Sequence, residues 1–201
     1  MRPVLTRPRL ATILLFFAAV VAAPITGLAE GGGLPPWQAV WRAAAEPALG
    51  AVVAPVDLAL APDGSLVVVD RELRRVQRFA ADGRVLGAYR LPGRPFLTPL
   101  AVAVDPVRER VYVSDSERAT VASFTLAGDF LTEWADFQQP EALAWGEGGR
   151  VHVYDRRRSG LLTRSPEGEQ ALDNIPVQVP QSFASELPNG LAVDAQGQIW
   201  F

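Results

Sequence analysis

The chain is 201 residues long, which holds one domain or at most two. It has no cysteine, so a disulfide framework, a thiolate zinc site and a cysteine nucleophile are all excluded. Lysine is absent too: all 19 basic residues are arginine, which excludes Schiff-base and P-loop chemistry. A net charge of −3 argues against binding nucleic acid through overall charge. The 17 Gly and 17 Pro are too many for a helix bundle and suit an all-β chain rich in turns.

Residues 1–29 read as a secretory signal peptide. Arg2, Arg7 and Arg9 precede an almost unbroken apolar run from Leu10 to Ala23, which Pro24 ends. Gly27 and Ala29 supply small residues at a cleavage site. The run is short for a permanent span, which needs roughly 20 apolar residues; an uncleaved N-terminal anchor is the alternative. Cleavage leaves 16 arginines against 22 acids and no membrane span. The expected location is secreted or periplasmic, in a bacterial envelope. Export makes nucleic acid an unlikely partner, and without cysteine the fold must hold by packing alone.

A repeat organises the rest. It reads PVDLALAPDGSLVVVD from Pro55, PLAVAVDPVRERVYVSD from Pro99, PEALAWGEGGRVHVYD from Pro140 and PNGLAVDAQGQIWF from Pro188. Asp70, Asp115 and Asp155 are followed at one constant spacing by Phe79, Phe124 and Arg164, and at another by Gly83, Gly128 and Gly168. Within the first copy, Asp57–Ala61 alternates, Pro62–Ser65 is a turn, and Leu66–Val69 is β-branched without a polar break. Val76–Phe79 and Val85–Tyr89 then flank an Asp82-Gly83 hairpin turn. Four antiparallel strands repeating at this period predict the blade of a β-propeller, whose flat faces are buried by stacking blade on blade.

The unit P-x-x-L-A-x-x-P-D-G-x-L-x-V-x-D followed by R-V-x-R-F-x-x-D-G resembles the NHL repeat of six-bladed propellers. The second copy departs at its first turn, Val107-Arg108-Glu109, and the third where Arg164 takes the aromatic position. The expected fold is therefore an all-β propeller of four-stranded antiparallel blades, incomplete, with about three and a half blades present. The blades are 55–98, 99–139, 140–187 and a partial 188–201. Residues 30–54 form an N-terminal segment whose WQAVWR stretch, 37–42, resembles a ring-closing last strand. An open stack would expose an apolar face at each end. A fragment of a longer reading frame is thus expected; a ring closed between chains and an open array with solvated ends are the alternatives.

Chemistry is sparsely encoded. The lone His152 aligns with Val67 and Tyr112 and reads as a packing residue. No G-x-S-x-G elbow, H-E-x-x-H pattern or glycine-rich phosphate loop is present. The recurring Asp70, Asp115 and Asp155 read as structural acceptors for the loops that follow them. The residue after each opening proline varies: Val56, Leu100, Glu141 and Asn189. Glu141 and Asn189 are oxygen ligands suited to a divalent cation such as Ca²⁺. Pro188–Asp194 resembles a motif of gluconolactonase-type lactonases, in which the Asn binds the catalytic metal, and Gly-Gln-Ile-Trp-Phe resembles blades of streptogramin lyase. That resemblance implies a metal-dependent hydrolase or lyase working in the central channel. The loops after the second strands carry Arg71, Arg74, Arg75, Arg118, Arg156, Arg157 and Arg158 on one rim. Arginine forks suit carboxylate and phosphate. The leading expectation is a binding or scaffold module whose Arg-rich rim, with Arg71, Arg74, Arg118, Arg156, Arg157 and Arg158, meets a protein, a glycan or another acidic surface.

Overall fold

The computed structural model describes residues 52–176, 190–194 and 197–200. The expected signal peptide, the 37–42 strand and Asn189 lie outside them. Three four-stranded antiparallel sheets follow one another, each ordered as in the sequence. The first holds β1 (Pro55–Leu60), β2 (Leu66–Asp70), β3 (Arg75–Phe79) and β4 (Val85–Tyr89). The second holds β5 (Pro99–Asp105), β6 (Arg110–Asp115), β7 (Thr120–Thr125) and β8 (Phe130–Trp134). The third holds β9 (Pro140–Trp145), β10 (Val151–Asp155), β11 (Gly160–Arg164) and β12 (Gln170–Pro176). A short pair, β13 (Ala192–Val193) and β14 (Ile199–Trp200), begins a fourth. These are the blades that the periodicity predicts.

The second strand of each complete blade is buried on both faces, and in blades 2 and 3 its alternate residues pack against different neighbours. Val67 and Val69 of blade 1 meet Val111 and Val113 of blade 2 in one apolar cluster. Tyr112, on the other face of β6, meets Val151 and Val153 of blade 3 in the next. Tyr154 repeats the step toward Leu191 and Ile199. Each fully covered Val, Leu or Phe contributes about 1.5–3 kcal/mol, so the seams between sheets are the core.

The outer hairpin turns are seams as well. Gly83, Gly128 and Gly168 sit at φ of 86°, 110° and 94°, a region open to glycine. At Gly168 a β-carbon would also come within 2.2 Å of the Trp134 Nε1 position, so the ring of blade 2 lies directly on the turn of blade 3. Tyr89, the counterpart of Trp134, donates its hydroxyl to Leu126 O in blade 2 at 3.1 Å.

A carboxylate ties each blade to the segment that enters it. Asp115 Oδ2 and Oδ1 accept the Leu97 and Thr98 amides at 2.8 and 3.0 Å, and Oδ1 also accepts Arg118 N at 3.2 Å. Asp155 does the same with Gln138, Gln139 and Arg158, at 2.6, 3.0 and 3.3 Å. Asp70 binds Val53, Ala54 and Leu73. The sequence predicts the bond to the following loop; the two bonds backward to the linker appear only in the structure. All three aspartates are buried. Asp155→Ala is expected to strand three backbone donors at a seam and lower stability by at least about 3 kcal/mol in chemical denaturation. Asp155→Asn, which keeps one acceptor oxygen, is expected to cost less.

Candidate functional site

The loops after β2, β6 and β10 lie on the same side as the linkers that open the blades. Arg71 N donates to Ala54 O at 3.1 Å, Ser116 N to Thr98 O at 2.9 Å and Arg156 N to Gln139 O at 2.9 Å. In each loop the fourth residue after the aspartate, Arg74, Ala119 or Ser159, is left-handed, with φ between 46° and 58°. This rim carries all six arginines expected from the sequence.

The structure divides the six. Arg118 and Arg158 fold inward as repeated clamps. Arg118 Nη2 donates to Pro95 O at 2.9 Å and its Nε lies 3.5 Å from Asp115. Arg158 Nη2 donates to Asp136 O at 3.0 Å, and its Nε lies 3.8 Å from Asp155. Blade 1 has the exposed Leu73 at this position and so lacks the clamp. Arg156 lies 3.4 Å from Glu141. Arg71, Arg74 and Arg157 are exposed, and none of the ion pairs among the described residues includes them.

Glu141 is the second residue of β9, with its side chain largely covered. Its Oε1 accepts Gln139 Nε2 at 2.7 Å and faces the Arg156 guanidinium, so one oxygen is already engaged by a cation and an amide. Glu141 also adds to the effect of burial in lifting the Tyr154 phenol above its ordinary value. The second expected metal ligand, Asn189, lies outside the described residues. Among the described residues, no three His, Asp or Glu side chains gather as a metal site. His152 is buried at the face of blade 3 that meets Leu191 and Ile199, with Nδ1 2.9 Å from Thr163 Oγ1. Burial, aided by Arg150, lowers its pKa, so the ring is held neutral, as suits a packing residue.

One inner-strand residue escaped the sequence reading. Asp57 is the second residue after its opening proline, where the other complete blades have Ala101 and Ala142. Its Oδ2 accepts Val102 N of blade 2 at 2.8 Å and its Oδ1 accepts Leu58 N at 2.8 Å. It therefore joins the innermost strands of two blades. Burial raises its pKa from 3.8 to about 7, outweighing the two amides that oppose the shift. The available signal was a carboxylate at a position where the repeat otherwise keeps a small apolar residue.

The family model of the teneurin NHL domain matches residues 43–201. The chain belongs to the teneurin NHL domain family. A search of the curated proteins finds no match. Among solved structures, this NHL chain resembles virginiamycin B lyase from Staphylococcus aureus at 17% identity and a TM-score of 0.59, covering 73% of this chain and 48% of that one. It resembles a streptogramin B lyase at 15% identity and a TM-score of 0.59, covering 73% of this chain and 47% of that one. Hydrazine synthase from Kuenenia stuttgartiensis follows at 16% and 0.56, with 72% and 40% covered. The chain thus spans about half the length of these structures or less. At such identities the likeness shows the propeller fold alone.

The buried Asp57 predicts a pH response for the NHL chain. Its folded-state pKa is raised, so its contribution is full below about 3.8 and is lost as pH rises through about 7. Wild-type melting temperature is expected to carry a falling component between about pH 4 and pH 7. Asp57→Asn, which keeps an acceptor for Val102 N without the charge, is expected to flatten it. An unchanged slope in thermal scans of the variant would refute the assignment.

Proposed function

We propose that this NHL propeller is an exported binding or scaffold module whose rim recognises an acidic surface on a protein partner. The observation that carries this reading is the unequal use of the rim arginines. Arg118 and Arg158 fold back onto the linkers and their own aspartates, and Arg156 is engaged by Glu141. Arg71, Arg74 and Arg157 stand exposed outside every ion pair among the described residues. An exposed guanidinium presents a planar fork of donors that fits a carboxylate in two places at once. The loops that carry them are short and pinned at both ends by backbone bonds, so little ordering is needed on contact. The same chemistry admits a glycan bearing acidic groups.

A channel metal held by Glu141 and Asn189 is the second reading from the sequence. The Glu141 contacts to Gln139 and Arg156 weigh against it, because a divalent cation would have to displace a guanidinium at short range.

The rim is tested with polyglutamate as the acidic probe. The triple variant Arg71→Glu, Arg74→Glu and Arg157→Glu is expected to weaken binding by tenfold or more at physiological salt with little change in melting temperature. The wild-type affinity is expected to fall steeply with added salt. Equal affinity of the two proteins would overturn the rim.

A further inference from the structure

The repeat breaks at one buried position, and the break is charged. Where β3 has Phe79 and β7 has Phe124, β11 has Arg164, with a side chain only 4% exposed. In blade 2 the aromatic is matched by the linker residue Phe96, whose ring lies 6.3 Å from Phe124. In blade 3 the equivalent linker residue is Phe137, and the Arg164 guanidinium lies 5.3 Å from its centroid. A cation has replaced one ring of an aromatic pair within the apolar seam between blades 2 and 3.

Its charge is poorly answered. Arg164 Nη2 lies 3.5 Å from Asp136 Oδ2, at the outer limit of a hydrogen bond. Arg164 Nη1 is buried and has no hydrogen-bond partner. Arg158 uses the same aspartate, donating from Nη2 to Asp136 Oδ1 at 3.2 Å as well as to its carbonyl. The remaining carboxylate nearby, Asp155, is 3.8 Å from Arg158 Nε and already accepts three backbone amides. Burial and Arg158 both lower the pKa of Arg164 while Asp136 opposes them. Asp136 is itself loosely seated: its side chain is 71% exposed and its backbone is left-handed at φ 78°. Two guanidinium groups thus share one exposed carboxylate on the solvent side of a seam.

We propose that Arg158 and Arg164 form an oxyanion site at the seam between blades 2 and 3, in which the chain's own Asp136 is a replaceable occupant. A carboxylate or phosphate taking the place of Asp136 meets the partly exposed Arg158 guanidinium and Arg164 Nη2, the two groups that face that carboxylate. The buried Phe137 ring lies against the Arg164 guanidinium. The ligand class is a small oxyanion or an acidic side chain with at least two oxygens, which is what two forks at one point can hold. The site stands on residues other than the three free rim arginines and does not depend on the rim reading.

The test is thermal unfolding of the full chain at pH 7.5 in inorganic phosphate and, separately, in acetate, each against chloride at equal ionic strength. Wild type is expected to gain about 2–4 °C in at least one of the two anions, with saturation. Arg164→Phe restores the aromatic of the sibling blades and is expected to fold and lose the gain. Asp136→Asn removes the competing charge at a left-handed position that asparagine tolerates, and is expected to respond at about tenfold lower anion concentration. A gain in acetate alone identifies a carboxylate site; a gain in phosphate alone identifies a phosphate site. No gain in wild type and Asp136→Asn, or an equal gain in Arg164→Phe, overturns the proposal. The triple rim variant is expected to keep the gain, which separates this site from the rim.

Discussion

One buried carboxylate per blade holds the arrangement together. A propeller linker must leave one sheet at its outer edge and enter the next at its innermost strand, so its last amides lie at a seam, beside the buried aspartate of the blade they open. Asp115 and Asp155 each accept two of those amides and a third from their own loop. The opening proline that follows has no amide to satisfy. The carboxylate thus sets where each new blade begins, and the side chains that follow Pro99 and Pro140 inherit their positions from it.

Arginine is the only long cation in this chain, and the structure puts it to several different uses. Arg118 and Arg158 reinforce the carboxylate lock by reaching back to the linker carbonyls of Pro95 and Asp136. Arg78 and Arg110 cross from one blade to the next and donate to equivalent turn carbonyls, Leu126 O at 2.8 Å and Pro166 O at 3.0 Å. Arg71, Arg74 and Arg157 remain at the surface. A guanidinium can play any of these parts because it carries five donors on a long stem. Residue type alone therefore does not tell a clamp from a contact surface.

Much of the fold was legible in the sequence. The spacing of the prolines, aspartates and glycines marks each blade, and the unbroken Val-rich strands mark burial on two faces. The site was less legible. The rim arginines could be found from their loops, but Arg118 and Arg71 look alike until the first is seen folded onto Pro95 O. Asp57 was hidden for a different reason. Its partner, Val102 N, belongs to the next blade, 45 residues on, and no local pattern announces that contact. Arg164 stood out as an irregularity, but its meaning depends on Phe137 and Asp136 in another segment.

The sequence by itself determined the blade: its four strands, its turns, its period and the two faces it must bury. Those features come from local preferences repeated along the chain, and repetition makes them readable. Only the tertiary structure decided which polar groups are consumed by the seams and which are left for a ligand. That outcome turns on where a long side chain from one blade ends relative to the backbone of another, a matter of a few ångströms between residues far apart in the sequence.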